Sequence, residues 1–64
     1  MKLDMKLERV EFGMGEDDHE YRIDGKVIAR VSYDTHGSAG MRLAREMFEA
    51  FAKAANVKIE EFNE

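Results

Sequence analysis

The sequence predicts a small α+β domain in which a three-stranded antiparallel sheet is followed by one amphipathic helix packed on it. Two observations predict this fold class. Apolar residues alternate with polar ones through the first half of the chain, and they recur at helical spacing through the second half. With 64 residues there is room for one domain, residues 1–64.

The first strand begins close to the N-terminus. Apolar side chains there alternate with charged ones, at Leu3, Met5 and Leu7. Val10 and Phe12 are apolar at even positions, so the alternation changes phase. We expect either a bulge near Glu8 and Arg9 that restores the facing, or a strand that crosses from one surface to another.

The second and third strands form a hairpin around Asp24 and Gly25. A three-residue loop, residues 23–25, places the apolar residues of both strands on one face, whereas a two-residue loop turns them to opposite faces. We therefore predict the three-residue loop, with Gly25 in a left-handed conformation. The predicted inner face holds Tyr21, Val27, Ala29, Val31 and Tyr33.

One helix follows a turn over residues 34–37. Ser38 is a suitable N-cap because its hydroxyl can accept a hydrogen bond from a free amide of the first turn. We expect the helix to end near Ala55. Its predicted apolar stripe is centred on Ala44, Met47, Phe48, Phe51 and Ala55. The tail, residues 57–62, is predicted to be either a short fourth strand or a flexible arm.

The apolar stripe of the helix is wider than one small sheet normally covers. A second surface is therefore expected to bury part of it, and we predict contacts by Met41, Leu43 and the tail residue Phe62. Because a chain this short buries a small share of its surface, and because it contains no cysteine for a stabilising disulfide, we expect a homodimer.

An acidic run precedes the second strand. Four of the five residues 16–20 are acidic, and the net charge of the chain is −4. We predict that these four residues contact a basic surface of a partner protein. They are Glu16, Asp17, Asp18 and Glu20.

The sequence contains no pattern typical of catalysis. The acidic run lacks the spacing of a calcium-binding loop, and His36 lies in a segment suited to turn formation and capping. We expect no enzyme activity, no metal, no cofactor and no membrane span. The N-terminus has no apolar signal segment, so we expect a cytoplasmic location.

Residues 21–54 resemble the second half of a double-stranded RNA-binding domain. The likeness is carried by Asp24-Gly25-Lys26 at the hairpin turn and by a Gly- and Ser-containing turn before an Ala-rich helix. Arg42 and Arg45 have a spacing comparable to that of the family's phosphate-contacting residues. The chain lacks the family's N-terminal helix and is acidic. The nucleic-acid-binding surface that this resemblance implies consists of Arg22, Lys26, Arg30, Arg42 and Arg45.

We predict from these features a non-enzymatic interaction or inhibitor protein of the kind that viral or mobile-element genomes encode. It would bind a larger protein, such as a nucleic-acid-processing enzyme, through the acidic run and the apolar helix flank. The alternative is a small nucleic-acid-binding module.

Overall fold

A computed structural model describes residues 4–12 and 18–63 and confirms the α+β fold class. The elements follow one another as three strands, a helix and a further strand. They are β1 (Leu7–Phe12), β2 (Asp18–Ile23), β3 (Lys26–Ser32), α1 (Tyr33–Ala55) and β4 (Ile59–Asn63).

The sheet has four strands in the order β3-β2-β1-β4. β1, β2 and β3 pair antiparallel, and β4 pairs parallel to β1. The tail therefore forms a strand, which is one of the two possibilities predicted for it. Helix α1 carries the chain from β3 at one edge of the sheet to β4 at the other, which is the kind of crossover that a parallel pairing requires.

The hairpin between β2 and β3 corrects the predicted loop. Ile23 pairs with Lys26, so the loop has two residues, and both Asp24 and Gly25 have positive φ (52° and 82°). These values are those of a type I′ turn, whose twist matches that of the strands. A two-residue loop alone would turn the apolar residues of β3 to the face opposite Tyr21. A β-bulge within β3, where Ile28 is the extra residue, returns the residues that follow it to the face of Tyr21.

The bulge determines which side chains of β3 face the helix. Tyr21 pairs with Ala29 and Arg22 pairs with Val27, so Val27 lies on the face away from α1. Ile28 lies beside Ala29 on the helix side. The predicted inner position of Val27 was therefore wrong.

Helix α1 begins earlier than predicted. Ser32 is the N-cap, and its hydroxyl accepts a hydrogen bond from the Thr35 amide at 3.2 Å. The His36 Nδ1 accepts a second one from the Ser32 amide at 3.2 Å. After this first turn Gly37 leaves the helical conformation (φ 72°, ψ 173°), and the main helix follows. The predicted boundary near Ser38 coincides with this interruption.

The C-terminus of α1 is a Schellman motif. Asn56 adopts the left-handed conformation, its amide bonds to the Lys53 carbonyl at 3.2 Å, and the Val57 amide bonds to the Ala52 carbonyl at 2.9 Å. Val57 then packs against the core, which directs the chain toward β4.

The core lies between α1 and the sheet. It contains Leu7, Tyr21, Val31, Phe48 and Ala52, and the rings of Tyr21 and Phe48 meet edge to face at 4.8 Å between centroids. Ala52 is buried, although it lies outside the centre of the predicted apolar stripe. The helix is rotated by roughly 45° from its predicted orientation. Small Ala52 and Ala55 now face the sheet, which allows α1 to approach it closely.

β1 is buried on both faces. Leu7 faces α1, whereas Val10, three residues on, faces the opposite side of the sheet and is only 1% exposed. Its neighbours across the strands are Glu20 of β2 and Phe62 of β4. The register of β1 with β2 is unbroken, so the predicted bulge near Glu8 and Arg9 is absent from β1, and the phase changes because β1 presents apolar residues to both faces of the sheet.

Candidate functional site

An apolar groove opens between α1 and the β3 edge of the sheet. Its volume is about 390 Å³, within the range of ligand pockets. Within the described part of the chain, none of the side chains that line it is charged. They are Tyr21, Ile23, Ile28, Ala29, Ala44, Met47, Phe48 and Phe51.

Three of the side chains that line the groove are large, apolar and exposed, and exposed Leu43 lies one helical turn from one of them, Met47. Met47 is 64% exposed and Leu43 is 59% exposed, on the outward side of α1. Ile28 is 52% exposed and Phe51 is 41% exposed, on the two sides of the groove. We name these four residues, Ile28, Leu43, Met47 and Phe51, the α1–β3 surface. Scattered exposed apolar residues are ordinary, but a contiguous group around a groove is typical of an interaction site.

Two local features create this surface. The β-bulge turns Ile28 toward the helix side at the edge of the sheet. The rotation of α1 directs Phe48 into the core and leaves Met47 and Phe51 at the groove. Met47 and Phe51 were placed at the centre of the predicted apolar stripe, whereas the structure leaves both of them exposed. The width of the stripe was the sequence signal that some of its members would remain exposed.

The structure distributes the predicted partner-binding residues over different places. Leu43 is exposed on α1, whereas Met41 is half-buried and packs against the core. Phe62 is exposed, but it lies beside Val10 on the face of the sheet away from α1. Leu43 and Phe62 therefore do not belong to one surface.

The four acidic residues predicted to bind a partner do not lie together on one described surface either. Glu16 and Asp17 lie outside the described residues. Asp18 begins β2 and pairs with Ser32. Glu20 is buried in β2, so its predicted position in an exposed acidic loop is corrected.

Glu20 is held by two arginines on the face of the sheet away from α1. Its carboxylate lies 2.5 Å from the Arg22 guanidinium and 4.0 Å from that of Arg30. The Arg30 guanidinium also lies over the Phe12 ring, 5.2 Å from its centroid. This carboxylate is therefore buried and paired within the sheet and does not form part of an exposed acidic surface.

The basic residues of the alternative nucleic-acid surface lie on two sides of the sheet. Arg22 and Arg30 accompany Glu20 on the face away from α1. Arg42 and Arg45 lie on α1, and Lys26 is exposed at the hairpin. The structure therefore does not bring these five residues together as one surface.

A buried polar cluster lies under α1 at the β4 side of the sheet. Arg9 is almost fully buried, its guanidinium donates to the Glu61 carboxylate, and it lies 3.7 Å from the Glu49 carboxylate. Burial works to lower the pKa of Arg9, but its hydrogen bond and attraction to Glu61 more than offset this and raise it. The pKa of Glu61 is lowered by the hydrogen bond from Arg9.

Tyr21 and His19 are the neighbours of Arg9 on this face. Burial raises the pKa of Tyr21, and the positive charge of Arg9 opposes that rise. Within the described ranges, the Tyr21 hydroxyl and both ring nitrogens of His19 have no hydrogen-bond partner. The groove and this cluster share Tyr21, whose ring lines the groove.

Among residues 4–12 and 18–63, no group of His, Asp and Glu side chains is arranged to hold a metal ion. His36 is occupied with the Ser32 amide at the start of α1, which agrees with the capping role expected for it. Within the same ranges, no helix combines the length and apolar character that crossing a bilayer requires.

No protein-family model matches this chain. The double-stranded RNA-binding domain that residues 21–54 resemble is therefore not among the matches. Searches of the curated proteins and of the solved structures gave no match either. The features of the chain that indicate a function are thus the α1–β3 surface and its neighbours.

Proposed function

We propose that this chain is a non-enzymatic protein-interaction module that binds a partner protein through the α1–β3 surface. The observation that supports it is the exposure of three large apolar side chains that line an apolar groove, together with exposed Leu43 one helical turn from Met47. Removing apolar surface from water is worth about 25 cal/mol per Å². A partner that covers this surface would gain that free energy.

The groove is suited to apolar side chains that project from a partner. Phe48 and Tyr21 are fixed at its base by their edge-to-face contact. Met47 lies at its rim, and its flexible thioether can adapt to different side-chain shapes. The partner is therefore expected to supply aromatic or aliphatic anchors, as protein hot spots do.

The sequence favours one specific form of this function, an inhibitor that binds a larger nucleic-acid-processing protein. In that form the acidic residues at 16–18 would contact the basic channel of the target, and the α1–β3 surface would supply the apolar contact. Glu20 is assigned to the sheet rather than to this contact because it is buried against Arg22 and Arg30.

The proposal is tested by selecting peptides from a displayed random library on the wild-type protein and measuring their dissociation constants. β3 offers a matched pair of variants, because Ile28 and Val27 are adjacent and equally exposed (52% and 54%) but lie on opposite faces. We expect Ile28→Asp to weaken binding of the selected peptides by about tenfold or more, since one lost anchor costs at least about 1.4 kcal/mol.

Val27→Asp is the control and should leave the dissociation constants within about twofold of wild type. Equal losses in the two variants, or selected peptides that bind Ile28→Asp as tightly as wild type, would show that the groove is not the binding site. Circular dichroism of each variant confirms that the fold is retained.

A further inference from the structure

We propose that α1 also pairs with α1 of a second copy of this chain, in an antiparallel arrangement, and so forms a homodimer. The contact is a seam of four exposed residues on the outward side of the helix, Leu43, Met47, Ala50 and Ala54. This inference goes beyond the proposed partner site, with which the seam shares Leu43 and Met47.

The spacing of the seam is that of a helix–helix contact. Its residues are separated by four, three and four positions, which is the 3.5-residue repeat of a coiled-coil interface. On α1 the centre of the seam lies roughly 130° from the centre of the sheet-facing residues Phe48, Ala52 and Ala55. The sheet therefore leaves the seam open to a second helix.

The sizes of the seam residues are complementary only when the two helices run in opposite directions. In an antiparallel pair centred between Met47 and Ala50, Leu43 faces the second copy's Ala54, and Met47 faces the second copy's Ala50. Each large side chain then meets a small one, which is the interdigitation that close helix packing needs. A parallel pair would place large side chains against large ones and alanines against alanines.

The charges beside the seam select the same arrangement. Glu46 and Lys53 are both exposed and lie along one flank of the seam. In the antiparallel pair, Glu46 lies near the second copy's Lys53, and the symmetry repeats this contact once. In a parallel pair, Glu46 would instead lie near the second copy's Phe51. Opposite charges on such flanking positions are known to set helix orientation.

The opposite flank is apolar. Phe51 and Ala44 lie on the side of the seam toward the groove. In the antiparallel pair, Phe51 lies near the second copy's Ala44, so apolar side chains meet there. One flank of the contact is thus ionic and the other apolar.

The size of this contact predicts a reversible dimer. The seam spans twelve residues of helix, roughly 17 Å from its first Cα to its last. Such a contact buries less than the roughly 800 Å² per partner of a standard stable interface. We therefore expect a dissociation constant on the order of micromolar, with monomer and dimer exchanging across an accessible range of concentration.

The test is the solution mass, measured by sedimentation equilibrium from low micromolar to millimolar protein. Glu46→Lys and Lys53→Glu each place like charges together and should raise the dimer dissociation constant by about tenfold. The double variant Glu46→Lys/Lys53→Glu restores opposite charges and should return the constant to within about threefold of wild type. Ala50→Glu should abolish the dimer, because it places a charge against Met47.

Ile28→Asp is the control, since Ile28 lines the groove and lies outside the seam; its mass should match that of the wild type. A monomer at every concentration would overturn the dimer. A dimer that the single charge variants do not weaken, or that the double variant does not restore, would place the interface elsewhere. Because Ile28→Asp affects the groove alone, failure of the dimer and failure of the partner site give different results.

Discussion

Arg9 of β1 and Glu61 of β4 lie opposite each other in the parallel strand pair, and the Arg9 guanidinium donates a hydrogen bond to the Glu61 carboxylate. Arg9 is almost fully buried, whereas the Glu61 side chain is mostly exposed. The C-terminal strand therefore supplies the counter-ion for a charge buried under α1. This contact links the tail of the chain to the core.

The first prediction concerns the pH dependence of stability. The pKa of Glu61 is lower when folded than its ordinary value of 4.5, owing to the Arg9 hydrogen bond. A carboxyl group whose pKa is lower in the folded state than in the unfolded state stabilises the fold at pH values above its unfolded-state pKa. This stabilisation is lost as the pH falls through the folded-state pKa. The free energy of unfolding, measured with urea, should therefore fall from about pH 5 downward.

Glu61→Gln should remove the contribution of this carboxylate to the pH dependence. At pH 7 it should lower the free energy of unfolding by about 1 kcal/mol, a small value because the charged hydrogen bond is partly exposed to solvent. Glu60→Gln is the matched control, because Glu60 is adjacent and lies on the other face of β4. If Glu61→Gln and wild type lost the same stability between pH 7 and pH 3, the Arg9–Glu61 contact would not contribute to folding.

The second prediction distinguishes two neighbouring residues of α1. Phe48 is buried against Tyr21, whereas Met47 is exposed. Phe48→Ala should cost about 3 kcal/mol or more, much of the stability expected of a chain this small. Met47→Ala should change the free energy of unfolding by no more than about 0.5 kcal/mol in dilute, monomeric protein. Equal costs in thermal unfolding would contradict the observed rotation of the helix.

The third prediction concerns the break in α1 at Gly37. Its backbone (φ 72°, ψ 173°) lies in a region that only glycine adopts readily. Gly37→Ala should cost about 1–3 kcal/mol although a methyl group there meets no atom within 4 Å. Ala39→Gly, a change in the same segment without positive φ, should cost less. A Gly37→Ala variant as stable as wild type in urea would show that the break is not needed.

The fourth prediction concerns the hairpin turn. The Asp24 carboxylate accepts a hydrogen bond from the Lys6 amide at 2.9 Å, and the Asp24 amide bonds to the Lys6 carbonyl at 2.8 Å. Asp24→Ala loses the side-chain bond and disfavours the positive φ of this position. We expect a cost of about 1–2 kcal/mol. Asp24→Asn, which retains an acceptor and tolerates positive φ, should remain within about 0.5 kcal/mol of wild type in urea unfolding.

Much of the fold could be predicted because local patterns determine it. The alternation around Tyr21 and Val31 predicted the hairpin strands, and the helical spacing predicted α1 to its end near Ala55. The loop length could not be predicted, because two arrangements place the later apolar residues of β3 on the same face as Tyr21. One is a three-residue loop with a bulge at the turn, and the other is a two-residue loop with a bulge at Ile28. Only the pairing of β2 with β3 distinguishes them.

The candidate site was harder to predict because it depends on the rotation of one helix. The apolar stripe of α1 is broad enough to face the sheet in more than one orientation. Contacts distant in sequence, such as that of Arg9 with Glu49, accompany the observed orientation. The sequence correctly indicated an exposed apolar flank that includes Leu43. It did not indicate that Ile28, rather than Phe62, would lie on the same surface.

Binding of a protein partner at the α1–β3 surface can be observed residue by residue, by following methyl resonances during titration with a selected peptide. The Ile28 and Met47 methyl groups report on the groove, and Val27 reports on the opposite face. Binding at the surface should shift the Ile28 and Met47 resonances saturably and leave Val27 unchanged. Larger shifts at Val27 than at Ile28 would show that the peptide binds the opposite face of the sheet and not the α1–β3 surface.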